Sequence, residues 1–322
     1  MLLNELIRVA REHHAVFSSV TGGADVGWYD GNDAIHDAIE ARVIEDTTLR
    51  AHRVQPAPSR LNAFLDGIQR AAVRYYAGPV PVAYAWGAAV VRGRFNGRMS
   101  AWREPLLAER EALFFPHRLL PRERLDDVGL GAYTMVDTSP PESEPVPLFP
   151  PALNARAAQA VNRWREGIER ELAEQWCKCS SEDDWLLIDG SISRSPELTG
   201  QRRVAGLVKS HSTRFFDGEE ARVWLGLQAG ERTSVFEPQT WRLAPVHSWY
   251  LRLRDPAGHD LLWGLVRVEV PASRFSIEDA DRISAWLLSE VQPLALPDSR
   301  WDRLLYPIHD CEVFLRARVP TW

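Results

Sequence analysis

Two aspartates in this chain each follow an apolar run and precede a glycine: Ala63-Phe64-Leu65-Asp66-Gly67 and Trp185-Leu186-Leu187-Ile188-Asp189-Gly190-Ser191. Large apolar residues in a row, as at 185–188, predict a strand buried on both faces. A carboxylate at the end of such a strand is costly unless a metal ion, a partner or water receives it. Two such ends suit one divalent cation shared between them. The plainer alternative is a pair of strand-to-turn corners, because Asp-Gly favours turns. Asp30-Gly31 and Asp217-Gly218, each followed by polar residues, read as ordinary turns.

Other residues could join such a site. The clearest helix is expected over Leu153 to Trp176, where Val161, Trp164, Ile168 and Leu172 share one stripe. Glu171 lies nearest that stripe and Glu169 beside it, on opposite edges, and Glu166 and Glu174 lie on its flanks. Arg163, Arg165 and Arg170 stand three or four residues from these acids, in pairing range. Val204 to Val208 predicts a short buried strand ending in Lys209. Only Lys178 and Lys209 among the 38 basic residues are lysines, so a compact point charge has survived a strong arginine bias. Arg194, Arg202, Arg203, Lys209, His211 and Arg214 fall within 21 positions, as either a solvated face or a surface that tracks phosphates. Ser248 to Leu253, with Tyr250 within it, predicts a further strand.

The elements that must position these groups come from a chain of ordinary globular composition. Its 322 residues are 45% hydrophobic and 25% charged, with net charge −6. That charge argues against whole-surface attraction to nucleic acid and leaves room for a local basic groove. The longest apolar run, Val80 to Val91, is too short to span a membrane. Met1 to His14 predicts an amphipathic helix rather than a signal peptide. Cys177, Cys179 and Cys311 form neither an even disulfide framework nor a zinc set, which points to a reducing cytoplasm. There is no Gly-x-Ser-x-Gly elbow and no Gly-x-x-x-x-Gly-Lys-Ser/Thr loop. A serine hydrolase and an intrinsic nucleotide hydrolase are therefore unsupported.

In chain order, residues 1–55 are expected to be a helical region making dimer or partner contacts. Residues 56–322 are expected to form one domain. Strands are expected at 61–66 and from Pro79 to Arg92, and a helix at 101–113. Asp137 to Pro151 carries six prolines and reads as an extended insertion. After the long helix come strands near 185–189, 204–208, 248–253 and 262–270. A helix capped by Ser276 follows, then a last one from about Trp301 to Arg318, interrupted at Pro307.

This ordered set resembles the NurA nucleases. The resemblance rests on Leu65-Asp66-Gly67, Arg165-x-x-x-Glu169-x-x-x-Ala173, Leu186-Leu187-Ile188-Asp189-Gly190-Ser191 and Gly206-Leu207-Val208-Lys209-Ser210. Tyr250-Leu251-Arg252-Leu253, Val266-Arg267-Val268-Glu269-Val270-Pro271 and Tyr306-Pro307 complete it. It implies an α/β fold with an RNase H-like (PIWI-like) mixed sheet flanked by helices. It also implies a manganese- or magnesium-dependent deoxyribonuclease with two ions that degrades DNA ends. Such proteins work as homodimers beside a hexameric HerA-type ATPase, in repair or phage defence. By the same resemblance Asp66, Asp189 and Glu169 bind metal, with Glu166 and Glu171 as alternatives, and Lys209 and Tyr250 stand beside it. The basic candidates for DNA are Arg194, Arg202, Arg203 and Arg214. Two positions depart from the family pattern. Ile68 replaces a serine, and Cys311-Glu312 replaces an Ala-His pair, leaving His309 or Glu312 for the late site. These departures motivate a second expectation, a docking subunit that kept the fold and lost the chemistry.

Overall fold

The computed structural model describes residues 38–321 except 104, 128, 202, 212, 241–242, 274–276, 292–302 and 304, together with Glu5, Arg8, Glu12, Ser18 and Ser19. The fold is mixed α/β, with fourteen strands of the described residues in a single sheet.

The centre of that sheet is built from β1 (Ala63–Ala77), β2 (Val80–Phe95), β3 (Leu107–Phe115), β4 (Leu186–Asp189) and β5 (Val204–Val208), lying side by side in the order β3-β2-β1-β4-β5. β1, β2 and β3 are antiparallel neighbours. The chain then crosses over through the long helix α1 (Pro150–Cys179) and returns as β4, parallel to β1, and β5, parallel to β4. Beyond β5 the sheet continues antiparallel through β7 (Leu265–Pro271) and β6 (Val246–Arg252).

Alternation along β1 and β4 decides what each face packs against. Ala63, Leu65, Leu186 and Ile188 meet Ile168, Leu172 and Trp176 of α1. Phe64 and Leu187 point the other way, into a core shared with two C-terminal helices, α2 (Glu278–Glu290) and α3 (Tyr306–Arg316). The next residues along the two strands, Asp66 and Asp189, fall on the α3 side.

Several boundaries differ from the sequence expectations. β1 does not stop at residue 66; it runs unbroken through Asp66-Gly67 to Ala77, so that dipeptide is mid-strand and not a corner. Residues 107–115 are strand rather than helix, because eight of them pair with β2 and that ladder overrides the helical preference of Glu109-Arg110-Glu111-Ala112. Pro307 lies in the first turn of α3 and does not interrupt it, the position where a missing N–H costs nothing. Pro150 and Pro151 likewise start α1.

The expected helical region 1–55 lies largely outside the described residues. Its described part includes two short strands, Ala41–Val43 and Ala51–Arg53, which pair with Phe236–Pro238 and Glu231–Thr233. These residues therefore belong to the same sheet as the rest. No described helix is long and apolar enough to cross a membrane.

Candidate active site

Parallel register brings the two aspartates together. Leu65 lies opposite Ile188, and each is followed by its aspartate, on strands about 4.8 Å apart. At that point the strands part company. β4 ends at Asp189, and Gly190 takes φ +136°, a left-handed conformation open to glycine. β1 carries on past it, still paired with β2. A cleft of about 1090 Å³ opens there, lined by Asp66, Glu169, Asp189, Glu312, Lys209 and Arg165 among others.

Each acid arrives on a different element. Glu169 is the one buried charged residue of α1, and it reaches the site from the face opposite Asp66. Gly67 makes that approach possible: a Cβ there would lie 2.4 Å from Glu169 Oε1. Glu312 comes from α3, buried, with its carboxylate 3.2 Å from Arg316 Nη2. Asp189 Oδ2 accepts from Lys209 Nζ at 2.7 Å, and Glu169 pairs with Arg165.

Asp66 is less well provided for. Among the described residues its Oδ1 accepts from the Gly67 N–H at 2.8 Å, and its buried Oδ2 finds no hydrogen-bond partner. Burial pushes the Asp66 carboxyl well above the usual range, and the charges of Asp189, Glu169 and Glu312 push the same way, with Lys209 opposing. Burial likewise raises Glu169 to about 7 against the pull of Arg165, with Asp189 adding to the rise. Burial works against the Lys209 ammonium too, but Asp189, Asp66 and Glu312 outweigh it and hold its pKa above normal. The cleft is thus an anion-crowded pocket whose resident cations fall short of satisfying it.

An uncompensated carboxylate oxygen and hard oxygen donors converging from four elements fit a divalent ion of the magnesium or manganese kind. The acids are not gathered tightly. Among the described residues, one trio of metal-capable side chains has ligand atoms within 4.8 Å of one another, and it lies elsewhere, at Glu45, Asp46 and His52. In the cleft, Arg165 and Lys209 occupy two of the carboxylates.

The remaining expected residues divide. Arg194 lines the cleft and bridges to Glu166 of α1, 2.8 Å away. Glu171 pairs with Arg110 on the exposed surface. Between the two late candidates, Glu312 lines the cleft; His309 does not, and its Nδ1 stands 3.5 Å from Glu312. Tyr250 is a core residue away from the cleft lining, stacked on Trp224 at 4.7 Å, and its burial raises the phenol to about 12. Arg203 sits at the opposite end of β4 and β5, donating to the Asp184 carbonyl at 3.1 Å. Arg214 pairs locally with Asp217, and Arg202 lies outside the described residues.

One contributor escaped the sequence reading. Glu269, buried in β7, accepts from Ser191 Oγ at 2.7 Å and from the Ile192 N–H at 3.0 Å. It fixes the loop that leaves Asp189. The available signal was a glutamate inside the apolar alternation Val266-Arg267-Val268-Glu269-Val270, since a carboxylate in a central strand must find donors.

No protein-family model matches the chain, and no curated protein matches its sequence.

Proposed function

We propose that the protein is a metal-dependent deoxyribonuclease of the NurA kind, built on an RNase H-like core, with this cleft as its active site. The observation that carries the reading is the meeting of Asp66, Glu169, Asp189 and Glu312, from four separate elements, around a buried carboxylate oxygen that nothing among the described residues satisfies. The order β3-β2-β1-β4-β5, with α1 as the crossover, supports an RNase H-like core.

Asp66, Asp189 and Glu169, with Glu312 in the late position, would hold Mn²⁺ or Mg²⁺. When bound, such ions supply neutralisation of the charge that builds on phosphate during hydrolysis. The chain's own residues do the rest. Lys209 orients Asp189 and presents an ammonium toward a phosphate. Arg194 offers a guanidinium fork at the cleft wall. Glu269 holds the Gly190–Ser193 loop so that Asp189 keeps its position. Tyr250, being buried, has no part in this reading. The NurA resemblance further implies a homodimer and a hexameric HerA-type ATPase that moves DNA, since this chain has no phosphate-binding loop of its own.

The test is Mn²⁺-dependent cleavage of linear DNA, with and without such an ATPase, by wild type, Asp66→Ala and Asp189→Ala. Equal cleavage by all three would falsify the assignment. A second reading, a docking subunit without chemistry, draws on Ile68 and on the two cations that neutralise Asp189 and Glu169. Calorimetric titration separates them: Mn²⁺ binding that is lost in Asp189→Asn favours the enzyme.

A further inference from the structure

We infer that Arg165 is a switchable counter-charge: it holds Glu169 while the cleft is free of divalent ions and turns to substrate phosphate once an ion takes Glu169. This rests on the divalent-ion reading above and adds a role for a residue outside the acid set.

The pair is oddly placed for a structural bridge. Solvent-exposed salt bridges are weak, and the other pairs that α1 acids make, Glu171 with Arg110 of β3 and Glu166 with Arg194, fit that description. Arg165 and Glu169 instead lie side by side one turn apart on the buried, cleft-facing side, with side chains 22% and 8% exposed. A buried ion pair is a poor stabiliser, since desolvation cancels most of its attraction. Its location also makes sense chemically. Besides Glu169, the Arg165 guanidinium interacts with Asp66 and Glu166. It therefore stands among the acids at the cleft wall.

Arg165 Nη1 holds Glu169 Oε1, so a divalent ion that takes this oxygen displaces the arginine from it. The planar fork suits phosphate as well as carboxylate, so the arginine released by ion binding has a second partner in a nucleic-acid backbone. One residue would then compensate charge in both states. Lys209 differs, because it is anchored on Asp189 and ringed by Asp66 and Glu312.

The sign of the test follows from electrostatics. Taking a positive charge from beside a cation site strengthens cation binding, whereas damage to the fold weakens it. Mn²⁺ affinity is measured by calorimetry at pH 8 for wild type, Arg165→Met, Arg165→Lys and Asp189→Asn. Binding of a short phosphorothioate single strand is measured by anisotropy, with Mn²⁺ and with chelator. Arg165→Met should bind Mn²⁺ about tenfold tighter while losing most of the gain in strand affinity that Mn²⁺ gives wild type. Arg165→Lys, which keeps the charge, should stay near wild type in Mn²⁺ affinity and reports on the charge if the methionine variant fails to fold. If wild type binds Mn²⁺, Asp189→Asn does not, and Arg165→Met binds equally or more weakly, the switch is overturned and the ion site stands. If wild type binds no Mn²⁺, the ion site itself falls, and the switch with it.

Discussion

Two groups of acids in this protein invite comparison. Glu45 and Asp46, with His52, are the more tightly gathered, yet every feature marks them as structural. Arg232 grips both oxygens of Glu45, at 2.7 and 2.8 Å, and its Nε reaches Asp281 at 2.6 Å. Asp46 accepts from Ser234 Oγ at 2.7 Å and lies 2.8 Å from His52 Nε2. Burial works to raise Glu45, but Arg232 and the Val235 N–H outweigh it and leave its pKa lowered. The Ser234 hydrogen bond lowers Asp46. In the cleft the same residue types shift the other way, because Asp66 and Glu169 are buried faster than they are compensated. Closeness of acids therefore says little. Whether the protein itself satisfies them is what separates a fastening from a site.

The contrast can be broken in graded ways. The largest effect belongs to the fastening: Arg232→Met takes the buried partner from half-buried Glu45 and should cost about 3–5 kcal/mol, read by urea unfolding, while cleavage per folded molecule stays at the wild-type level. Loss of cleavage without loss of stability would reverse the assignment of the two groups.

Next comes a pH effect of about 3 kcal/mol. A carboxyl whose folded pKa is raised adds stability below its unfolded value, near 4.5 for Glu169, and that stability has gone once the pH passes about 7. In chelator, the thermal midpoint of wild type should fall from pH 5 to pH 8, and that of Glu169→Gln should stay more level. Glu45 and Asp46 act in the opposite sense, since lowered carboxyls stabilise above their unfolded pKa values and lose that contribution as pH falls below them.

Asp66→Asn should lower Mn²⁺-dependent cleavage by more than about a hundredfold, beyond what loss of a residue supporting a metal ligand costs. It should also raise the thermal midpoint in chelator, because it removes a buried, half-satisfied anion. A lower midpoint would mean that Asp66 is satisfied after all. The mildest change is Gly67→Ala, which moves the Glu169 carboxylate aside and should weaken cleavage about tenfold, with little change in stability measured alongside.

Much of this was legible beforehand, and the exceptions have physical causes. Asp66 and Asp189 stand out because a carboxylate after an apolar run is conspicuous in one dimension, whereas the helix stripe leaves several glutamates open and only the Arg165-x-x-x-Glu169 frame of the family resemblance singles out Glu169. Glu312 was visible as one of two alternatives. Hidden from the sequence were contacts that exist only across the sheet: the Glu269 grip on the 191–193 loop, and the role of Gly67, which reads locally as a turn. Tyr250, suggested by the family resemblance, turns its ring into the core against Trp224, and Arg203 misled because closeness in sequence to Lys209 does not say which end of β5 faces the cleft. The strand at 107–115 was hidden for the same reason, since its partner β2 lies across a turn and a further short strand.

The last wall of the cleft has a consequence for timing. Helix α3 carries Glu312 and rests on β1 through Cys311 Sγ, 3.4 Å from the Phe64 carbonyl. A chain emerging from the ribosome with its amino end first displays β1 long before residues 306–316 exist. Until those residues arrive and dock, a half-made polypeptide lacks the fourth carboxylate, so the order of synthesis postpones completion of the pocket until well after β1, α1 and β4 have emerged.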